Sequence, residues 1–379
     1  MSQVGVQVAI DAGPLHGPRT GIGNAVAWTI AALRGRRPAD TNSDTDTGGG
    51  DVELLPYVIS TRATLNSGER RLPIPAALAH RLGTRPSGPP RERWLGRPDV
   101  VHGTTYVGPP ARAPRIVNVY DCWFLDHPDD AHTDVARAGA VLRRSINDGA
   151  HVVTSSAATT ARVSDLFGTD RVTTVHLGPP PHDLDQRRTA PALGDPDAPF
   201  VLALGTVERR KNLPTLVGAF ARVAAEHPTV QLRIAGRDGD DAPALAAALD
   251  RLQPGVRSRV VRHLKVNDSV KQWLLDRAAV LAYPSLDEGF GFPILEAQQA
   301  GTPVVASAAG SIPEIAGSGA LLSMPTDEDA LAANLVWAID SPNKRRELIE
   351  RGRANVQRFS WQRTTSALTT LYLRLAREA

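Results

Sequence analysis

Tyr283-Pro284-Ser285-Leu286-Asp287-Glu288-Gly289-Phe290-Gly291-Phe292-Pro293-Ile294-Leu295-Glu296-Ala297 reads as a strand end, a Gly-rich turn and the first turns of a helix. A short apolar run, Val280 to Ala282, precedes it, and Pro293 suits a helix start, where an N–H has no intrahelical partner to lose. Gly301 is placed to close the helix in the left-handed conformation, and Pro303 forbids continuation. Glu288 lies in the turn and Glu296 one turn into the helix, with seven residues between them. Helical side chains tilt toward the N-terminus, so Glu296 leans back toward the loop that carries Glu288, and both carboxylates can face one pocket. The helix-start amides, with Gly289 and Gly291 letting a ligand approach the backbone, make an anion site beside them. Carboxylates for hydroxyls and amides for phosphate together suit a sugar nucleotide.

These residues resemble the E-x7-E signature of retaining family 4 glycosyltransferases, and the resemblance continues through Gly301-Thr302-Pro303-Val304-Val305. It implies an α/β chain of the GT-B fold, two Rossmann-like doubly wound domains facing across a cleft. It places Glu288 at the donor sugar and Glu296 at the ribose hydroxyls, with Gly289, Phe290, Gly291, Phe292 and Leu295 around the donor. Two glutamates alone at a helix start would be a solvated face interacting with the helix dipole. The glycines, the proline and the strand, all at the required offsets, favour the site.

Upstream, Phe200-Val201-Leu202-Ala203-Leu204 is a continuous apolar run, the pattern of a strand buried on both faces. Gly205-Thr206-Val207-Glu208-Arg209-Arg210-Lys211-Asn212 follows it and precedes a helix that runs to about Ala225. Cations at the carboxyl end of a parallel strand form an anion site where open α/β sheets bind ligands. The segment resembles the family's Gly-x-x-x-x-Arg-Lys-Asn, in which a lysine and an arginine clamp the donor diphosphate. Lys211 carries over directly. Thr206 stands where many members have a second arginine, so that role passes to Arg210. His263-Leu264-Lys265-Val266 matches the strand-end segment that borders the nucleotide base in the family. Strands at 231–235, 260–266, 280–283 and 320–324, alternating with helices at 244–252 and 269–278, specify a parallel doubly wound sheet. Three helical stretches then lead to the C-terminus.

In the first half, Val6 to Asp11 is a strand, and Gly13 to Asn24 forms a Gly-rich loop before a helix from about Asn24 to Leu33. Gly21-x-Gly23 lacks the third glycine of a dinucleotide fingerprint. In the enzymes this chain resembles, such a loop covers the donor phosphates, which puts Gly21, Ile22 and Gly23 at the donor. Further strands are expected at 52–59, 100–103, 116–120, 152–154 and 172–176, with Ser155 and Ser156 capping the helix after 154. A short helix is expected near 76–81. Related enzymes often carry His-Asp at the end of the strand 116–120, the His near the reacting sugar; here the pair is Tyr120-Asp121, and Asp121 remains a catalytic candidate for orienting a substrate. His102, after an apolar strand, reads more readily as structural. The polar, Gly-rich tract 36–51 cannot bury a core and reads as a flexible insertion, and its Asp44-Thr45-Asp46 as surface rather than a metal motif.

The expected organisation is an N-terminal acceptor-binding domain at 1–180, a proline-stiffened linker at 181–199, a nucleotide-sugar-binding domain at 200–358 and a C-terminal helix at 359–379 returning to the first domain. With 379 residues the chain exceeds one ordinary core. Forty-three basic against 40 acidic residues leave +3, which disfavours nucleic acid as the partner. A single cysteine, Cys122, rules out an intrachain disulfide, and the start lacks the pattern of a signal peptide. A cytoplasmic enzyme follows as the expectation, with weak contact to the inner face of a membrane left open.

The expected reaction is transfer of a hexose, first mannose from GDP-mannose, to a hydroxyl of an oligosaccharide, polysaccharide or glycolipid, with retention and without a cofactor or metal ion. Glu288, Lys211, Arg210 and Asp121 are its catalytic candidates. UDP-glucose or another nucleoside diphosphate sugar is the alternative donor. A sugar-nucleotide epimerase or a silent nucleotide-sugar-binding protein are the rival classes.

Overall fold

The computed structural model describes residues 5–17, 20–35, 52–74, 92–127, 133–181 and 188–379. The insertion expected at 36–51 with its Asp44-Thr45-Asp46, the helix expected near 76–81 and residues 182–187 of the expected linker lie outside the described residues. The chain forms two compact units, Met1–Pro181 with Phe359–Ala379, and His182–Arg358.

In the first unit, β1 (Val6–Asp11), β2 (Val52–Ile59), β3 (Arg70–Leu72), β4 (Val100–Gly103), β5 (Arg115–Val119), β6 (His151–Thr154) and β7 (Val172–Thr174) form one sheet in the order 3-2-1-4-5-6-7. Every pairing is parallel. The order reverses between β1 and β4, so the loops that leave them diverge and open a crevice at their carboxyl ends. Val8, Ala9 and Ile10 are fully buried, as a strand covered on both faces requires. The helix Trp361–Glu378 is capped by Ser360, whose Oγ accepts from the Arg363 amide at 3.1 Å. It buries Leu368, Leu371, Tyr372 and Leu375 against Val8, Val100, Ile116 and Val153. At roughly 1.5–3 kcal/mol per fully buried leucine, that apolar stripe is what holds the terminal helix in this unit.

Several boundaries differ from the sequence reading. The helix expected from Asn24 begins at Gly21, because Thr20 Oγ1 accepts from the Gly23 amide at 3.2 Å and caps it there. Gly21, Ile22 and Gly23 are therefore a first helical turn, not a covering loop. β5 ends at Val119 and β7 at Thr174, leaving Tyr120 beyond its strand. β3, three residues with two arginines, exists by pairing onto the edge of β2. The amphipathic helix Thr133–Asn147 is an element the sequence reading did not contain.

In the second unit, β8 (Phe200–Leu204), β9 (Gln231–Ala235), β10 (Val260–His263), β11 (Val280–Tyr283), β12 (Val304–Ser307) and β13 (Ala320–Ser323) form a parallel sheet in the order 10-9-8-11-12-13. Its switch point lies between β8 and β11. One face packs under Leu216, Val217 and Phe220 of the helix Leu213–Glu226, and the other under Trp273, Leu274 and Ile294. β10 stops at His263, so Leu264, Lys265 and Val266 form a loop instead of continuing the strand. The described part of the expected linker is fastened to this unit: Arg188 pairs with Asp276 at 2.9 Å, Ser269 Oγ donates to Thr189 Oγ1 at 2.8 Å, and Arg233 donates to the Asp195 carbonyl. No helix among the described residues is long and apolar enough to cross a membrane.

Candidate active site

The two strands at the switch point of the second sheet send their loops to the same place. After β8, Arg209–Lys211 makes a single 3-10 turn that ends at Asn212, in the left-handed region at φ 53°. After β11, residues 284–291 form the turn before the helix Phe292–Ala300, whose N-cap Gly291 has φ 102°. That conformation is open to glycine and strained for other residues. Hydrogen bonds tie the loops together: the Leu286 amide donates to the Arg210 carbonyl at 2.8 Å, and the Asn212 side chain donates through Nδ2 to the carbonyls of Pro284 at 3.1 Å and Pro325 at 2.8 Å. Ser311 braces the far side, its amide on the Glu288 carbonyl and its Oγ on that of Phe290, both at 3.0 Å.

Inside this frame Glu288 is buried, 6% exposed, between two cations. Lys211 Nζ donates to its Oε1 at 2.5 Å, and Arg210 Nη1 donates to its Oε2. Burial alone would raise the Glu288 pKa, but Lys211 and Arg210 outweigh it and hold the carboxyl at about 2. Burial pulls the Lys211 ammonium below its ordinary value, against the attraction of Glu288. Tyr283, the last residue of β11, accepts from Lys211 Nζ at 2.9 Å. Arg210 Nη2 also pairs with Glu208, a more exposed carboxylate, at 3.4 Å, so two cations and two carboxylates meet where the loops join.

Beside it lies a cavity of about 940 Å3, wholly within this unit. It is lined after β8 by Gly205 and Thr206, after β9 by Gly236 to Asp238, after β10 by Leu264 to Asn267, and by Lys271, Pro293 and Glu296. A Cβ on Gly236 would overlap the Gly205 carbonyl, so two strand ends can cross here only if that residue is glycine. A Cβ built on Gly205 would sit 3.4 Å from Lys211 Cε, which puts the lysine stem at the cavity margin. Glu296 Oε1 accepts from Lys271 Nζ at 2.8 Å. Burial opposes charge on Lys271, yet Glu296 more than compensates and raises its pKa.

Thus Thr206, Leu264, Lys265, Val266 and Glu296 line one cavity, and Arg210, Lys211 and Glu288 meet beside it. Three expectations change. Glu288 does not line the cavity, because its carboxylate is turned onto Arg210 and Lys211. Leu295 is fully buried, so its side chain serves packing and not a ligand. Phe290 and Phe292 pack edge to face, ring centroids 5.1 Å apart, outside the cavity lining.

The first-unit candidates are placed separately. Asp121 Oδ1 accepts from the Trp123 amide at 3.2 Å, so it holds the turn into the short helix Trp123–Asp126. His102 is 1% exposed and hydrogen-bonded through both ring nitrogens. Asp11, at the end of β1, accepts from the Gly13 amide at 2.8 Å, and burial lifts its carboxyl to about 6. Among the described residues no group of three or more His, Cys, Asp or Glu could hold a metal ion.

Residues 186–355 match the family model described as glycosyl transferases group 1. The second unit carries a glycosyl transferases group 1 domain. Over 175 residues the chain is 34% identical to O-antigen chain mannosyltransferase B of Escherichia coli, covering 46% of this chain and 45% of that protein. It is 36% identical over 168 residues to the MMP alpha-(1->4)-mannosyltransferase of Mycolicibacterium hassiacum, covering 43% and 39%. The chain spans less than half the length of these two relatives. It is also 29% identical over 300 residues to glycogen synthase of Mycobacterium tuberculosis, covering 73% and 69%. Among solved structures, sucrose-phosphate synthase from Thermosynechococcus elongatus aligns over 99% of this chain and all of that one, with TM-score 0.72 and 19% identity. Anabaena HepE in complex with UDP and glucose aligns over 97% and 99%, with TM-score 0.69 and 16% identity. These likenesses show the fold, which is GT-B: two Rossmann-like α/β units, each built on a parallel sheet.

In the group 1 domain three polar residues escaped the sequence reading of the site: Tyr283, Lys271 and, as the brace between loops, Asn212. Tyr283 carried a usable signal, since it is the last strand residue before the quoted turn. Lys271 did not, because its meeting with Glu296 depends on how two helices pack.

Proposed function

We propose that the chain is a retaining glycosyltransferase of the GT4 type, transferring mannose from GDP-mannose to a hydroxyl of a carbohydrate or glycolipid acceptor. The observation that carries this reading is the convergence of Arg210, Lys211 and Glu288 at the switch point, beside a cavity with Glu296 on its wall. The donor's nucleoside would occupy the cavity, with Glu296 accepting from the ribose hydroxyls while Lys271 aims its carboxylate. The diphosphate would lie at Gly205, Lys211 and Arg210. Negative charge grows on the leaving diphosphate as the glycosidic bond breaks. Cations already fixed by Glu288 stabilise that charge without reorganising, so they act on the transition state more than on the ground state.

Arg210 and Lys211 supply the positive charge that a metal ion would otherwise bring, so the reaction is expected to run in chelator. The acceptor hydroxyl attacks on the face from which the diphosphate departs, and a departing phosphate oxygen takes its proton, which yields retention. Asp121 is proposed only to shape the turn after β5. The two mannosyltransferases among the relatives support mannose. The longer match to glycogen synthase supports a glucosyl donor as the second reading.

The test is nucleotide release from a panel of GDP- and UDP-sugars, with and without short mannosides and glucosides. Acceptor-dependent release from GDP-mannose alone supports the first reading, and release from a glucose donor alone replaces it with the second. No acceptor-dependent release from any sugar nucleotide would sink both.

A further inference from the structure

The first unit contains a chain of four polar side chains that runs from the terminal helix across β4 and β5. Tyr372, on the terminal helix, lies 2.7 Å through its hydroxyl from His102 Nδ1 in β4. His102 Nε2 lies 2.9 Å from Asn118 Oδ1 in β5. Asn118 Nδ2 donates to the Tyr120 hydroxyl oxygen at 3.0 Å, one residue past the end of β5.

The chain has a direction. Burial lowers the His102 pKa to about 4, although Asn118 opposes this, so the ring is neutral at pH 7 and carries one N–H. An amide oxygen cannot donate, so that N–H is on Nε2 and Nδ1 is bare. Nδ1 therefore accepts the Tyr372 proton. At the other end, Tyr120 oxygen receives the Asn118 N–H, and its own O–H has no partner among the described residues. Burial raises the Tyr120 pKa to about 12, so the proton stays on.

A small cavity of about 20 Å3 touches His102, Asn118 and Tyr120 on its polar side and is also walled by aliphatic side chains such as Val26, Val175 and Leu368. A site of roughly 10–15 Å3 or more accommodates one oxygen-sized guest. Tyr120 itself is half-buried, at the carboxyl edge of the sheet, where open α/β folds take ligands.

We propose that Tyr372, His102 and Asn118 form a one-way hydrogen-bond relay that fixes Tyr120 as a donor to one oxygen of the sugar substrate. The identity of the ligand rests on the glycosyltransferase reading; the relay does not. Tyr120 is the contact residue, and the other three position it. The terminal helix thereby sets the orientation of a group at the far end of the chain of bonds.

The test begins with the ring nitrogens of 15N-labelled full-length protein. His102 is expected as the Nε2–H tautomer from pH 5.5 to 8.5. The Nδ1–H tautomer, or titration within that range, overturns the relay. Steady-state kinetics of Tyr120→Phe and Tyr372→Phe follow, using the wild type's best donor and acceptor. Loss of one such bond should lower kcat/KM about 10-fold in Tyr120→Phe, with the His102 tautomer and circular dichroism unchanged. Tyr372→Phe should lower it several-fold and disturb the tautomer signal. Unchanged kcat/KM in a folded Tyr120→Phe would mean that the phenol serves only a trapped water, and the proposal falls. If the wild type transfers no sugar, the functional reading fails and takes the ligand with it, while the tautomer still decides the relay.

Discussion

Replacing Glu288 by Gln keeps its shape and removes its charge, which takes away the one carboxylate that bonds both Arg210 and Lys211 and leaves only the more exposed Glu208, 3.4 Å from Arg210, to offset them. Their side chains are only 16% and 14% exposed, so water cannot take over the screening. The size of the effect follows in two ways. A carboxyl that falls from 4.5 to about 2 on folding corresponds to about 3 kcal/mol at neutral pH. Removing one partner of a buried ion pair by mutation costs roughly 3–5 kcal/mol. We expect Glu288→Gln to lose about 3 kcal/mol, read by urea unfolding of the second unit through hydrogen exchange at β8 and β11 amides.

The pH dependence has a definite sign. The folded pKa of Glu288 lies below its unfolded value, so its stabilisation is fully present above about pH 4.5 and fades as pH falls toward 2. The gap between wild type and variant should be constant from pH 7 to 5 and shrink below that. A gap under about 1 kcal/mol at pH 7, or one that does not shrink by pH 3, would refute the electrostatic account of this site. In a Lys211→Met background the same substitution should be much milder, because only Arg210 then loses Glu288, and it keeps Glu208 at 3.4 Å and the Asp287 carbonyl at 3.2 Å.

Other consequences are as direct. Lys271→Met should raise the donor KM about 10-fold with little change in kcat, since Glu296 loses the charge-assisted bond that aims it; Lys271→Arg should recover part of the loss in the same kinetic assay. Asn212→Ala should destabilise the second unit by about 3 kcal/mol, combining three lost side-chain hydrogen bonds with a left-handed backbone. Asn212→Gly should lose less in urea unfolding, having no Cβ to strain. Asp11 carries the opposite pH sign from Glu288. Its folded pKa is raised from 3.8 to about 6, so its contribution favours folding below about pH 3.8 and is lost as pH rises through 6. Asp11→Asn should therefore gain up to about 3 kcal/mol over wild type at pH 7.5 and nothing at pH 3.5, read by hydrogen exchange at β1 amides.

The sheet of the second unit was legible because parallel strands buried on both faces are written as unbroken apolar runs, as in Phe200 to Leu204 and Val304 to Val305. The turn from Tyr283 to Glu296 was legible because glycine and proline mark backbone geometry directly. β3 was not, since Arg70 and Arg71 have no strand pattern of their own and are extended only because β2 offers an edge. The start of the helix at Gly21 was missed because two glycines outweighed the capping threonine before them.

Within the site, local sequence revealed which charges were present and not which ones pair. Glu288 appeared to face a ligand together with Glu296, whereas the loop that carries it is docked by Leu286 and Asn212 onto the cationic turn. That docking spans about seventy residues of chain and has no local signature. The same holds for His102 and Tyr372, 270 residues apart, whose bond exists because the terminal helix packs on β1 and β4.

The central claim is that the second unit holds a nucleoside diphosphate sugar against Arg210, Lys211 and Glu296. A crystal structure of the full chain with GDP tests it most directly. The account predicts diphosphate oxygens within hydrogen-bond distance of Lys211 Nζ and Arg210, ribose hydroxyls on Glu296, and the base near Leu264 to Val266. Nucleotide bound elsewhere on the second unit, or ribose remote from Glu296, would contradict it.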